Sequence, residues 1–531
     1  MGRFEEALRG KKEFVITCEL IPGRGFGGKS IENIMQFVEG IKGFPDVHAL
    51  SLTDNAGGNP ALTADVLGAE IVAKGVDIIV HFSCKDMNRN FIESRAFALQ
   101  RVNVTNLLVV TGDYPIAGYL GLPKPVFDID SVNAIHYLAK MNAGLTVPSG
   151  KGTADLEKTH FLLGAAVSPF KWTEGPSVMQ YTKMEKKIRA GADYFITQLG
   201  YDVRKHIEFL QYARGVLKTE LPLIGSIYVL NAGAADYMNR GEVPGSYVPD
   251  SLVKILREEA KAEDKGKLAR LERAAKQVAI LKGLGYSGVH IEGLNLKFED
   301  IKLIVNRSKE MAGTWKDFLP EFAFAPDKPF YYFEGGEKMR VPEPGEVPVP
   351  RATRKKGIAS LTFWIMRGVH KLFFIKGSGG YRMMAAISRG MEKHKGTSAV
   401  FAGLEHFTKR LFFVCRYCDD CMLFETCYLC PEARCPKGMR VGPCGGSRVN
   451  EKCEVFPDRN CYWRNVYWRA KNRDEVAKLG FIVPPRDWKL YQTSSWTNYF
   501  LDRDHSGHPV ETVRDGSGKA SADVETVSVP K

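Results

Sequence analysis

Eight short apolar, β-rich runs punctuate the first three hundred residues, and their spacing constrains the fold more than any other feature of the chain. They are Phe14–Leu20, His48–Leu52, Asp77–Phe82, Asn106–Thr111, Phe161–Val167, Tyr194–Leu199, Leu221–Tyr228 and Gly288–Ile291. Between most of them the pattern turns helical, as in Ser30–Ile41, Thr63–Lys74, Asn90–Arg101, Met179–Ala190, Arg204–Val216 and Leu252–Leu284. Continuous apolar strands alternating with helices predict a parallel sheet covered on its faces. Eight such units in about 300 residues predict a (β/α)8 TIM barrel. An open doubly wound sheet is the other arrangement with this alternation. No GxGxxG turn follows the first run, which counts against a dinucleotide-binding Rossmann domain.

A barrel of this kind places its site at the C-terminal ends of the strands. Those ends are polar here. The first ends at Glu19 and the second at Thr53-Asp54-Asn55; the third carries His81, Ser83 and Asp86. The fourth ends Thr111-Gly112-Asp113, the fifth reaches Ser168, the sixth ends at Gln198 and the eighth at Glu292. A lone strand-end carboxylate is ordinarily solvated. Seven polar ends converging on one face predict a site.

The second constraint is thiol density. Of eleven cysteines, nine lie in one stretch: Cys415, Cys418, Cys421, Cys427, Cys430, Cys435, Cys444, Cys453 and Cys461. The other two are Cys18 and Cys84. Clustered CxxC pairs in a large chain whose start has no signal-peptide pattern favour metal over disulfides and predict a cytoplasmic protein. One tetrahedral zinc needs four ligands, so nine thiols exceed two zinc sites by one. The run CxxCxxC suits a cubane cluster, which takes three thiolates from the run and a fourth from further along. Cys415, Cys418 and Cys421 fit that run. Cys427, Cys430 and Cys435 form a looser second group, and Cys444, Cys453 or Cys461 would complete each. Two 4Fe–4S clusters are the favoured reading, with zinc as the alternative.

A chain of 531 residues should hold two or more domains. The barrel is expected over residues 1–315, a Pro-rich linker over 316–356, and a smaller cysteine-rich metal-binding α+β domain over 357–503. Its first part, Gly357–Phe413, has helical patterning rich in Phe, Met and Leu. Residues 504–531 are poor in aromatics and predict a disordered tail. The net charge of +13 suits anionic ligands. Its basic residues are scattered, and the aromatic–basic interleaving of a nucleic-acid platform is absent from the barrel, so no nucleic-acid partner is expected. The most apolar stretch, Ile358 to Phe374, is broken by Arg367, His370 and Lys371, so no membrane span is expected.

At five strand ends the chain resembles the methylenetetrahydrofolate reductase family. The segments are Thr17–Pro22, Ser51-Leu52-Thr53, His81–Asn90, Thr111–Pro115 and Ala190–Gln198, in the family's order. The resemblance spans roughly residues 10–315. It implies a flavin-dependent barrel that reduces 5,10-methylene-tetrahydrofolate, or a related pterin, to the 5-methyl form. It implies Glu19 and Asp113 as catalytic residues, Gln198 and Asp113 as pterin ligands, and Thr53, His81, Ser83, Thr111, Gly112, Asp113, Ser168 and Lys187 as flavin contacts. The cysteine-rich part, with Gly442-Pro443-Cys444-Gly445-Gly446, resembles a domain found with this reductase in anaerobic one-carbon metabolism, there described as carrying iron–sulfur clusters or zinc. Two departures stand out. Thr111 replaces a family arginine and Ser168-Pro169 a family tyrosine–proline, both on the flavin's outer half, which leaves FAD and FMN open.

The implied partners are methylene-tetrahydrofolate and an electron source: ferredoxin or an electron-transfer complex if the tail is wired, NAD(P)H if it is not. An oligomer is expected. The rival readings are a pterin-dependent methyltransferase with a structural zinc domain, which would bind no flavin, and a nucleic-acid-binding zinc protein.

Overall fold

The computed structural model describes residues 2–343, 345–353 and 361–519, apart from the side chain of Lys395. Eight parallel strands close into a barrel: Val15–Leu20, Ala49–Leu52, Ile78–Ser83, Asn106–Val110, Leu162–Val167, Tyr194–Thr197, Leu223–Tyr228 and Gly288–Glu292. Each pairs with its neighbours in sequence order, and the eighth closes on the first. The TIM barrel read from the spacing of the apolar runs is therefore the fold. An unanticipated hairpin, Thr146–Ser149 with Gly152–Asp155, interrupts the sequence between the fourth and fifth strands.

The barrel axis has two chemically different ends. At the N-terminal end Val15, Ala49, Ile79, Leu162, Tyr194 and Ile224 form an apolar plug, sealed from below by Phe4 and Leu8 of the helix Arg3–Gly10. Each Val, Leu, Ile or Phe among them, fully buried, stabilises the fold by about 1.5–3 kcal/mol. Gly164 makes room for Tyr194, whose ring lies 2.3 Å from where a β-carbon would stand. One layer up, the inward positions switch to Thr17, Ser51, His81, Ser226 and His290. All but His81 are fully buried.

Three expectations need correction. The single helix anticipated over Leu252–Leu284 is two, Asp250–Glu259 and Lys267–Leu284, because Gly266 takes a left-handed conformation (φ +71°) between them. The Pro-rich stretch is not a free spacer. Phe330 N–H donates to the Trp172 carbonyl at 3.0 Å, Glu334 N–H to Val349 at 2.9 Å and Arg351 N–H to Tyr332 at 2.8 Å, while Tyr331 and Phe333 are buried in the barrel's flank. Pro344 and residues 354–356 of that stretch lie outside the described residues. The tail is packed through residue 519: His505 is buried, Val513 N–H donates to the Arg189 carbonyl at 2.8 Å and Arg514 pairs with Asp193. Residues 520–531 lie outside the described residues.

The C-terminal region opens with helices Leu361–Phe373, Gly379–Glu392 and Lys395–Phe413. They leave Leu361, Val400, Leu404, Phe407 and Leu411 exposed, so the expected packing layer is only partly covered. Beyond them the cysteine-rich stretch is irregular, with helices Pro431–Arg434 and Tyr462–Lys471. An α+β domain was expected; among the described residues its β content is an isolated bridge between Lys452 and Asn460. Trp463, Val466 and Tyr467 pack with Met179 of the barrel helix Glu174–Ala190. The two halves thus share a hydrophobic core.

If the strap over 326–353 is part of the barrel, Phe333→Ala should cost the barrel's unfolding transition about 3–5 kcal/mol. A loss under about 0.5 kcal/mol in denaturant titration, the range of surface changes, would make the segment a spacer after all.

Candidate active site and thiolate sites

The polar layer of the barrel is wired by hydrogen bonds. Thr17 Oγ1 pairs with His290 Nδ1 at 2.8 Å, and Ser51 Oγ with His81 Nε2 at 2.8 Å. Burial holds both imidazoles below their ordinary range, His81 at about 3 with His290 adding to the fall, while Glu292 opposes the fall at His290. Both are neutral near pH 7. Glu19, expected as the acid, sits at the mouth with Oε2 3.9 Å from His290 Nε2. Burial pushes its carboxyl up to about 7.

Asp113 lies across the fourth strand's end, where Gly57 N–H donates to its Oδ2 at 2.8 Å. Burial raises this carboxyl, Glu454 adds to the rise, and Lys437 and Lys85 oppose it. Gly112 has φ +90°, and a β-carbon there would come 2.2 Å from Ser83 Oγ. Only glycine fits that turn against the third strand. Thr53, Ser83, Thr111 and Ser168 are buried at the ends of their strands. Thr111 Oγ1 donates to Ser131 Oγ at 3.2 Å. Among the described residues Ser83 Oγ and Ser168 Oγ are buried without a hydrogen-bond partner. Two orphaned hydroxyls at the mouth are what a polar ligand edge would satisfy. Lys187 is also buried; its Nζ donates to the Ala166 carbonyl at 2.5 Å and burial, followed by nearby Lys183, pushes its ammonium down to about 7.

The C-terminal region closes over this mouth. Lys437 Nζ donates to the Gly112 carbonyl at 2.8 Å and pairs with Glu454, whose Oε1 lies 3.5 Å from Cys444 Sγ. Three barrel lysines hold the following turn by its carbonyls: Lys186 on Val441 at 3.0 Å, Lys183 on Pro443 at 3.2 Å and Lys171 on Ser447 at 2.8 Å. Gln198, the expected pterin ligand, accepts from Leu199 N–H at 3.0 Å. It faces Gly245, which also abuts the Gly445 carbonyl: a β-carbon at Gly245 would lie 3.3 Å from Gln198 Nε2 and 3.1 Å from that oxygen.

The cysteines sort into two quartets and a remainder. Cys415, Cys418, Cys421 and Cys430 line one small cavity, with Lys409 and Glu432. Cys435, Cys444, Cys453 and Cys461 line another of about 370 Å³, with Lys437 and Glu454. The anticipated grouping of Cys427, Cys430 and Cys435 is thereby corrected: Cys430 completes the first set and Cys435 begins the second. Cys427, expected as a ligand, lines neither. Left-handed backbone at Cys427 (φ 52°) and Tyr428 (φ 60°) turns its thiol toward Glu475 Oε2, 3.6 Å away. Burial pushes the Cys418 and Cys461 thiols up to about 12, so thiolates at these depths need a cation to hold them. Among the described residues, the groups of three whose ligand atoms lie within 4.8 Å of one another are Glu19–His81–His290 and Asp420–Asp504–His505; neither contains a cysteine.

Residue types alone did not single out His290, Thr17, Ser51 or Ser226. Their signal was period-two alternation: Thr17 and Glu19, Ser51 and Thr53, His81 and Ser83, His290 and Glu292 each share an inward face. Lys437 and Glu454 carried no such signal, because only the folded chain brings them to a strand end some 325 residues away.

Comparison with known proteins finds family matches over both halves of the chain. A family model described as methylenetetrahydrofolate reductase matches residues 3–309, and one described as methylene-tetrahydrofolate reductase C terminal matches residues 394–489. The curated protein methylenetetrahydrofolate reductase 1 of Schizosaccharomyces pombe (strain 972 / ATCC 24843) is 22% identical over 307 residues. The alignment covers 56% of this chain and 46% of that protein, so the chain spans about half the length of this relative. A solved structure from Clostridium thermocellum, of an uncharacterized protein that binds two copies of 5-methyl-5,6,7,8-tetrahydrofolic acid, is a more distant likeness: 14% identity, 58% of this chain, 99% of that one and a TM-score of 0.41. With its barrel matched from end to end and its cysteine-rich region matched separately, the chain belongs to the methylenetetrahydrofolate reductase family.

Proposed function

We propose that the barrel reduces 5,10-methylene-tetrahydrofolate, or a closely related pterin, to its 5-methyl form. The observation that carries this reading is Glu19: a largely desolvated carboxyl at the barrel mouth, raised to about 7, in a chain of this family. Opening the substrate's methylene bridge requires a proton on the departing nitrogen. A carboxyl still protonated near neutral pH can donate it. Asp113, on the facing strand end, is placed to hydrogen-bond the pterin and to stabilise the cation formed on opening. The Gln198 amide offers both a donor and an acceptor to the pterin edge.

A flavin, FAD or FMN, would supply the hydride when bound. Thr53, His81, Ser83, Thr111, Gly112, Asp113, Ser168 and Lys187 would hold it, and the orphaned Ser83 and Ser168 hydroxyls fit a polar ring edge. Neutral His81 adds no competing cation. Lys187 fits less well than expected, since its ammonium is already engaged by the Ala166 carbonyl.

The two cysteine quartets are suited to 4Fe–4S clusters. Each quartet supplies the four thiolates that one 4Fe–4S cluster takes, and zinc is the alternative four-thiolate occupant. Clusters there would carry single electrons. The second quartet adjoins Lys437 and Glu454, and Lys437 touches Gly112 at the barrel mouth. That adjacency supports an electron route from a ferredoxin-like donor or a partner complex to the barrel, in place of NAD(P)H. No helix among the described residues is long and apolar enough to cross a membrane.

Two outcomes test this. Glu19→Gln should lower kcat roughly 10²–10⁴-fold with bound flavin retained. In the parent protein the proton-donating form is the protonated one, so kcat should fall as pH rises through about 7. Loss of less than threefold, or a rate rising through that window, would remove Glu19 from the acid's role. Protein purified without oxygen should hold about eight irons per chain, from two four-iron clusters. Cys418→Ser should lose about half of them and Cys427→Ser none. Equal iron loss in the two variants would overturn the quartets, and zinc in place of iron would make the domain structural.

A further inference from the structure

We propose that Glu292 is a second proton-holding carboxyl of the barrel site, sharing a proton with Glu19 and returning one to it after each donation. The inference rests on the reading of Glu19 as the acid, and its basis is geometric. The first and eighth strands pair in parallel, with Thr17 opposite His290 and Cys18 opposite Ile291. One step further, the same register brings Glu19 level with Glu292. The Thr17–His290 hydrogen bond, 2.8 Å long, shows that these positions face each other inside the barrel. Strand alternation then places Glu19 and Glu292 on that same inner face, one layer nearer the mouth.

No cation balances this pair. Among the described residues neither carboxylate makes an ion pair with a lysine or arginine; the nearest basic group is His290, 3.9 Å from Glu19. The groups facing Glu292 are Glu19 from the first strand, His290 from its own strand, Tyr228 from the seventh and Tyr201 from the loop after the sixth. Burial keeps His290 neutral and both tyrosines protonated. Two buried carboxylates without a counter-charge cannot both ionise near neutral pH. Burial and then Glu19 push Glu292 up to about 8, in line with this arrangement. Ser226 Oγ donates to Glu292 Oε1, which fixes that oxygen.

The proton balance is simple. Glu19 gives its proton to the departing nitrogen as the carbon–nitrogen bond breaks. Glu292 passes its own proton to the resulting Glu19 carboxylate, and a proton from water restores Glu292. No electrons move in this relay. Glu292 touches no reacting atom and is a positioning and proton-holding residue.

The test is an infrared pH titration of the protonated-carboxyl stretch on the full-length protein as purified, in the parent, Glu292→Gln and Glu19→Gln forms. The parent should lose this absorption in two coupled steps, near 7 and near 8. Glu19→Gln should lower the Glu292 step by about half a unit or more, because the charge that raises it is gone. Glu292→Gln removes no charge while Glu19 titrates, so it should leave a single step near 7 and lower kcat below that pH by removing the proton donor to Glu19. Glu19→Ala repeats the first reading if Glu19→Gln folds poorly. A Glu292 step that stays near 8 in both Glu19 variants would overturn the coupling. An unchanged kcat in Glu292→Gln would overturn the relay. The infrared arm needs neither substrate nor flavin, so a parent protein inactive on methylene-tetrahydrofolate would sink the reductase reading while leaving the coupling measurable.

Discussion

The contact on which the rest of the molecule depends is the seating of the Val441–Ser447 turn on the buried ammonium groups of the barrel. Lys171, Lys183 and Lys186 are all buried, and each is satisfied by a main-chain carbonyl of that turn. Burying an ammonium is costly unless it is hydrogen-bonded. Burial pushes Lys171 down to about 8 and Lys186 to about 7, the direction expected of desolvated ammonium groups. Lys183 has a second partner in Asp130, 3.2 Å away. Because the turn holds Cys444 at its centre, the contact that docks the two halves also places the second quartet at the barrel mouth.

Docking in this way leaves little water near the acid. The apolar plug closes the barrel from below, and the cysteine-rich region covers part of it from above. The same desolvation then acts on each titratable group according to its sign: it raises Glu19, Asp113 and Glu292 and lowers His81 and Lys187. The acid chemistry proposed for Glu19 thus starts from burial, which raises its carboxyl.

The barrel was legible because its signals are local. Apolar runs and helical periods recur at fixed spacing, and each strand ends in polar residues that the fold gathers by closure alone. Glu19, Asp113 and Gln198 could be picked out because they stand at those ends. Pairings between strands were not legible: the meeting of Thr17 with His290, or of Glu19 with Glu292, depends on register across the seam that closes the barrel. The thiol groups illustrate the same limit. CxxC spacing found the ligand types, yet the left-handed turn at Cys427–Tyr428 decides that Cys430 joins the first set and Cys427 faces Glu475. The strap at Phe330–Phe333 was not legible because prolines suggest an extended spacer, while two of its four aromatics, Tyr331 and Phe333, bury against the barrel.

Lys437 shows why the two halves need to be read together. It follows Pro436 directly, two residues from Cys435 of the second quartet, and is itself buried. Its ammonium meets the Gly112 carbonyl and the Glu454 carboxylate, and its charge also acts on Asp113. Burial alone would lower this ammonium; Glu454, then Cys444 and Asp113, raise it above its ordinary range. The result is a permanent positive charge between the thiolate set and the strand end proposed to hold the pterin. A charge in that position favours negative charge on both sides at once: thiolates on one, the Asp113 carboxylate on the other. It thereby offsets part of the burial that would otherwise keep Asp113 protonated, while Glu19, with no such cation nearby, retains its proton. Two carboxyls at one barrel mouth are both raised by burial, and a lysine that the barrel does not itself contain opposes that rise at Asp113.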